Sequence, residues 1–370
     1  MQETISINMP QIDEQEIKIV TEVLKSGILT SRLGEGPMAT KFESAFAKFA
    51  KVKHAIAVNN GTAALHMALL AAETTSDNEV IVPSFTFVAT AEAVALIGAK
   101  PVFVDIDPNT YNISPEKAEE AITSKTKAII PVDLYGLSAD MEAVSKIAKK
   151  HDLAIIEDSA QAHGALYKGK PPGAFADMAC WSFYASKNMT TGEGGMVTTN
   201  SNEFAEKLRS IRMHGEKESY VSSMLGHNYR MPEIEAAIGY VQLQKLPKFL
   251  EKRRRNAELL TERLREAKDL QLPAEPPGYK HSWYLYTVRL RSADATARNK
   301  ILEELRKRGI GAAMYYGTPI HLMPYYRKFG KRRLPETEKA AQQVFSLPVH
   351  PGVTSSQIEH IAALTMKALE

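Results

Sequence analysis

Lys187 ends the run Cys180-Trp181-Ser182-Phe183-Tyr184-Ala185-Ser186-Lys187 and precedes the glycine-rich stretch Thr191-Gly192-Glu193-Gly194-Gly195. Some 29 residues upstream, the apolar stretch Leu153-Ala154-Ile155-Ile156 ends in Glu157-Asp158. An amine on a loop behind one apolar strand, with a carboxylate at the end of another, suits pyridoxal phosphate chemistry. The lysine can form a Schiff base with the aldehyde, and the aspartate can hold a proton on the pyridine nitrogen by opposite-charge attraction. That proton makes the ring an electron sink when a substrate carbon loses its own.

Other residues fit the same chemistry less specifically. Asn60-Gly61-Thr62 lies between a strand pattern and a helix pattern, where free backbone N–H groups and the helix dipole favour a phosphate. Taken alone, the same tripeptide reads first as an ordinary helix cap, and the phosphate reading gains weight only from its companions. Ser182 is either a phosphate donor or a polar strand residue, and Phe87 either covers a ring or fills the core. His163, close behind Asp158, reads as a supporting group of the site or as a core histidine. Cys180 sits among Met178, Ala179, Trp181 and Phe183, the setting of an inert buried thiol rather than a nucleophile.

These residues need elements to bring them together. Short apolar strands at His54–Val58, Glu79–Pro83, Pro101–Asp105, Ala128–Val132 and Leu153–Ile156 alternate with helices at Ala63–Ala72, Ala89–Ile97 and Asp140–Lys150. That order predicts βαβ units and a mostly parallel sheet, with ligands collecting outside the carboxyl ends of its strands. Asn59–Thr62, Ser84–Phe87, Asp158–Gln161 and Ser182–Lys187 all follow strand ends. The pattern changes near residue 246. A charged helix over Phe249–Ala267, a proline-rich link, strands at Trp283–Leu290 and Ile310–Met314, and helices at Asp294–Arg308 and Ser355–Leu369 predict a smaller α+β domain. The division expected is a large α/β domain over 1–245 and a small one over 246–370. The basic run Lys252-Arg253-Arg254-Arg255 reads as a solvated helix face.

Composition narrows the classes. A net charge of +3 over 370 residues gives no reason to expect nucleic acid or an anionic membrane as partner. One cysteine excludes an internal disulfide and any multi-cysteine zinc site, and the ten histidines are too scattered for a metal motif. Neither a G-x-G-x-x-G after the first strand nor a Walker A sequence occurs. Without a visible signal peptide or a bilayer-length apolar run, the expectation is a cytoplasmic protein.

The chain resembles the DegT/DnrJ/StrS family of sugar aminotransferases from about Ile7 to the final helix. The resemblance rests on ordered segments: Asn59 to Leu65, Val82 to Thr90, Phe103 to Asp107, Glu157 to Gly164, Ser182 to Asn188, Gly194 to Met196 and Gly226 to Met231. It implies the fold type I pyridoxal phosphate architecture. Lys187 then matches the Schiff-base lysine, Asp158 the pyridinium partner, Gln161 the group beside the ring hydroxyl and Phe87 the stacked aromatic. Gly61, Thr62 and Ser182 match phosphate binders. Asn228 matches a residue reaching the phosphate of the neighbouring subunit, which implies a homodimer with shared sites. Arg230 and His321 fall in segments that approach substrate, and His163 is placed with them. Two departures are visible: the 73–78 loop lacks the usual glycines, and Ser159 replaces a frequent alanine, adding a possible hydrogen bond near Asp158.

The expected activity is transfer of an amino group from an amino acid, glutamate by resemblance, to a nucleotide-linked keto sugar. The Asn228-Tyr229-Arg230-Met231 segment resembles that of enzymes acting at C4 of 4-keto-6-deoxy sugars. A 3-keto sugar or a keto-inositol is the alternative substrate. Lys187 argues against the related dehydratases, which carry histidine at that position. The contrasting class is a regulatory protein that keeps the fold without catalysis. Lys187, Asp158, Gln161, Ser182 and Asn228 together argue against it.

Overall fold

The computed structural model describes residues 4–31, 36–218, 220–292, 294–330 and 332–370. Its centre is a seven-stranded sheet of β1 (His54–Val58), β2 (Glu79–Pro83), β3 (Lys100–Val104), β4 (Thr126–Ile129), β5 (Ala154–Asp158), β6 (Met178–Ser182) and β7 (Gly195–Thr199). The spatial order is β1-β7-β6-β5-β4-β2-β3. All neighbours run parallel except β7, which is antiparallel to both β1 and β6. The expected mostly parallel α/β sheet is therefore present.

The strands are buried nearly throughout, because helices cover both faces. Ile56, Val58, Val80, Val82, Ile156 and Cys180 pack with α3 (Gly61–Ala71), α4 (Ala89–Leu96) and the helix Asn202–Arg212. The opposite face of β1 and β6 receives Phe42 and Phe46 of α2 (Pro37–Ala50), which meet Trp181 and Phe183 edge-on or tilted at 5.2–5.4 Å. Glu233 caps the start of α2 by accepting from the backbone amides of Met38 and Ala39 at 2.6 and 3.1 Å.

The C-terminal part holds a three-stranded antiparallel sheet of Leu270–Gln271, Tyr286–Leu290 and Val344–Leu347, backed by helices Ala295–Lys307 and Ser355–Leu369. Two expectations change here. Ile310–Met314 contributes only single bridges, Ile310 to Ile5 and Ala313 to Ser346, while Val344–Leu347 is the strand that pairs with Tyr286–Leu290. One helix, Glu233–Leu264, runs unbroken through Pro247 and across the expected 245/246 division. Pro247 lies on the exposed side, and the cost of the proline is offset because one face of the helix is buried, first against α2 and α1 (Glu14–Ser26), then against Ser355–Leu369. Among the described residues no helix is long and apolar enough to cross a membrane.

Candidate active site

The register of β1, β7 and β6 builds a tight corner. Gly195 pairs with both Val58 and Ser182, so the turn leaving β1 lies directly beside the end of β6. A Cβ on Gly61 would stand 2.8 Å from Cβ of Ser182, and one on Gly195 would stand 2.4 Å from the carbonyl oxygen of Asn60. Both contacts exclude any side chain at these two positions. Asn60 caps α3 by accepting from the Ala63 amide at 2.8 Å. Gly61, Thr62 and Ser182 thus meet at a helix N-terminus, the surroundings that suit a phosphate.

Asp158 ends β5 and is almost fully buried. Its Oδ2 accepts from the Thr90 hydroxyl at 2.8 Å and its Oδ1 from the Ala160 amide at 3.2 Å. Burial pushes the carboxyl above its ordinary range. The Thr90 and Ala160 donors and the charge of Lys187 oppose that rise. Lys187 is half-buried on the loop after β6, with Nζ 4.7 Å from the centre of the Tyr284 ring. Gln161 is buried; its Oε1 accepts from the Tyr135 amide at 2.8 Å and its Nε2 donates to the Tyr316 hydroxyl at 3.2 Å. Phe87 is 54 % exposed, with its ring 6.2 Å from that of Tyr316. An open aromatic face, a buried carboxylate, an amine and a phosphate corner fit pyridoxal phosphate.

The remaining candidates sit elsewhere. His163 is wholly buried among Trp181, Phe183 and Phe46, with ring centres 5.3–6.5 Å away. Burial, helped by the charges of Lys187 and Arg253, lowers its pKa to about 3, so it is a neutral core group. His321 is also buried. Its Nδ1 lies 2.7 Å from the Ser84 hydroxyl just past β2, and its Nε2 3.4 Å from Glu338 on the helix Pro335–Gln343, so both ring nitrogens are engaged. Arg230 is half-buried, its backbone bridging Val58, and Asn228 is exposed. The 228–230 backbone passes beside the phosphate corner, where Asn59 donates to the Tyr229 carbonyl at 3.0 Å.

The basic run at 252–255 needs correction, because Arg253 is 2 % exposed rather than solvated. It is enclosed where the long helix crosses the chain entering Tyr286–Leu290. Cys180 is buried and its thiol is pushed up by burial, as expected of an inert core group. Thr90, Tyr284 and Tyr316 also belong to the site. No sequence signal marks them, since each meets its partner across 68 to 155 residues or through the path of a loop.

Behind Asp158, Asp133 and Glu157 form a fully buried carboxyl pair, and the Ser159 hydroxyl makes no hydrogen bond to Asp158. Burial pushes Asp133 up to about 7, and burial with the Asp133 charge raises Glu157. A carboxyl whose folded pKa is raised stabilises the fold fully below its unfolded value, near 3.8. It loses that contribution as pH rises through about 7. Asp133→Asn keeps the acceptor for the Ala139 amide, 3.0 Å away, and cannot ionise. The urea midpoint of wild type is therefore expected to fall relative to that of the variant between pH 5 and pH 8; parallel curves would refute the raised Asp133 carboxyl.

The chain is similar to known proteins along nearly its whole length. A model of the DegT/DnrJ/EryC1/StrS aminotransferase family matches residues 10–365. A pleiotropic regulatory protein of Geobacillus stearothermophilus is 43% identical, over 96% of this chain and 97% of its own length. The GDP-perosamine synthase of Caulobacter vibrioides is 40% identical, covering 97% and 96%. A UDP-N-acetyl-3-dehydro-alpha-D-glucosamine 3-aminotransferase of Acidithiobacillus ferrooxidans is 41% identical, covering 90% and 89%. Among solved structures, the pyridoxal phosphate form of the sugar aminotransferase Spr1654 from Streptococcus pneumoniae superposes with a TM-score of 0.94 at 30% identity, covering 99% and 98%. DesV of S. venezuelae gives 0.92 at 34%, covering 99% of both chains.

Proposed function

Since the chain belongs to the DegT/DnrJ/EryC1/StrS aminotransferase family and is a pyridoxal phosphate-dependent sugar aminotransferase, we propose that it aminates C4 of a nucleotide-linked 4-keto-6-deoxy sugar. L-Glutamate is the donor in this reading, and two chains share their active sites. The observation that carries the catalytic part is the convergence of Lys187, Asp158 and the Gly61–Ser182 corner at the carboxyl ends of β1, β5 and β6. The choice of C4 rests on the 228–231 segment.

Pyridoxal phosphate supplies an aldehyde that takes the amino group and a ring that accepts electron density when protonated. Gly61, Thr62 and Ser182 would hold its phosphate, Asp158 its ring nitrogen, Gln161 its ring hydroxyl and Phe87 its face. Thr90 and the Ala160 amide fix the Asp158 carboxylate, so its charge needs no reorganisation during the reaction. Lys187 is the base: Nζ takes the proton from the donor Cα in the first half-reaction and returns one to the sugar carbon in the second. Asn228, exposed in the single chain, would reach the phosphate of the partner's site, and a solution mass of one chain would overturn the shared site.

A 3-keto sugar is the second reading, supported by the 3-aminotransferase relative. The deciding experiment offers nucleotide-linked 4-keto-6-deoxy and 3-keto sugars with glutamate and reads the products by mass and NMR. Nitrogen at C4 with at least tenfold higher kcat/KM is expected. Amination of the 3-keto sugars alone would replace the C4 reading, and amination of neither would remove both.

A further inference from the structure

The loop that carries Lys187 is held on both sides by residues from distant parts of the chain. Asn188 donates from Nδ2 to the carbonyls of Ser282 and His163, at 3.2 and 3.4 Å. On the other side, Asn8 donates from Nδ2 to the Ser186 carbonyl at 2.5 Å, and the hydroxyls of Ser186 and Tyr284 lie 2.9 Å apart. The Tyr284 ring meets the Lys187 amine at 4.7 Å, within the range where an aromatic face attracts a cation.

Tyr284 is itself fixed. Arg253 donates from Nη1 to the carbonyls of Trp283 and Tyr284, both at 3.1 Å, and from Nη2 to Oδ1 of Asn8 at 3.0 Å. A closed circuit results, running Arg253, Asn8, Ser186, Tyr284 and back to Arg253. No carboxylate pairs with Arg253 among the described residues. Burying a guanidinium without a counter-ion is costly, and its planar fork reads carbonyl oxygens in fixed directions. The circuit therefore spends a buried charge on the geometry of one tyrosine and one loop.

We propose that Tyr284 is the positioning residue of Lys187, with its ring carrying the amine, its hydroxyl fixing Ser186, and Arg253 fixing Tyr284 in turn. The inference rests on the reading of Lys187 as the amine that joins the cofactor and moves the proton. A base displaced from its working place still has to return to the same carbon. A ring face beneath it limits where it can go, and a misplacement of about 1 Å can cost about 100-fold in rate.

The test uses the full-length holoenzyme in the variants Tyr284→Leu, Tyr284→Phe, Ser186→Ala and Lys187→Ala. Two quantities are read: the rate of the first half-reaction with glutamate, and the rate at which cofactor-free protein takes up pyridoxal phosphate into a borohydride-fixed adduct. Tyr284→Leu is expected to slow both by about 10- to 100-fold while the half-saturating glutamate concentration stays within about threefold. Tyr284→Phe keeps the ring but loses the bond to Ser186, so it should recover most of the loss yet stay about three- to fivefold below wild type. Ser186→Ala should match Tyr284→Phe, because both remove the same bond. Wild-type rates in Tyr284→Leu would overturn the proposal. Should that variant not fold, wild-type rates in both Tyr284→Phe and Ser186→Ala would overturn it, and equal slowing in both would support it. A fixed adduct in Lys187→Ala would instead overturn the reading of Lys187 itself.

Discussion

Lys187→Ala is expected to lower kcat with glutamate and keto sugar by about 10⁴-fold or more. General acid–base catalysis by one positioned group contributes about 10²–10⁴-fold. Lys187 is asked to do that in both half-reactions and to anchor the cofactor as well. The variant should remain folded, because the side chain is half-buried and its recorded partner is the Tyr284 ring, a contact worth about 0.5–2 kcal/mol. A thermal midpoint close to that of wild type would confirm that chemistry rather than folding was removed. Borohydride treatment of wild type followed by peptide mass should place the cofactor on Lys187, and the variant should give no such peptide. Turnover within about 100-fold of wild type would show that another group moves the proton.

The order of strands and helices around the site was legible because parallel strands buried on both faces announce themselves as apolar runs. His54–Val58 and Glu79–Pro83 match their strands residue for residue. The long helix over 233–264 was harder to read. Pro247 looks like a break, and only burial on successive neighbours shows why it is not one. Ile310–Met314 reads as a strand from its apolar run, but it makes only single bridges and Val344–Leu347 takes the sheet position.

Within the site, the residues at strand ends could be placed from sequence because a parallel sheet puts all its carboxyl ends on one edge. Asp158 and the Gly61–Ser182 corner follow from that rule alone. Their supports do not. Thr90 reaches Asp158 from the first turn of α4, and Arg253 reaches Tyr284 from the middle of a basic run that reads as surface. His163 and His321 show the converse. His163 reads as a site or core group from its place behind Asp158, and His321 stands in a segment the resemblance places near substrate; the first packs into an aromatic core and the second has both ring nitrogens bound. Local sequence records residue type and spacing, but not which face of a loop is closed over by a distant part of the chain.

Asp158→Asn is the second large effect, and its sign follows from charge. An adjacent carboxylate raises the pKa of a cationic partner by about 1–3 units, and an amide of the same shape does not. The ring nitrogen would then lose its proton, and with it the capacity to draw electrons from the donor Cα. The rate of Cα proton removal is expected to fall about 10- to 1,000-fold. Asparagine can keep the Thr90 and Ala160 contacts through its carbonyl or by reversing the hydroxyl, so folding should be preserved. Burial raises the Asp158 carboxyl in the cofactor-free chain and a bound pyridinium would draw it back down, so wild type should lose rate only at the acid extreme where that group takes up a proton. The asparagine variant should be flat there. Single-turnover rates with glutamate and α-deuterated glutamate across pH provide the measurement. The isotope effect should grow in the variant, since proton transfer becomes the slow step, and a half-reaction within threefold of wild type would remove Asp158 from the mechanism.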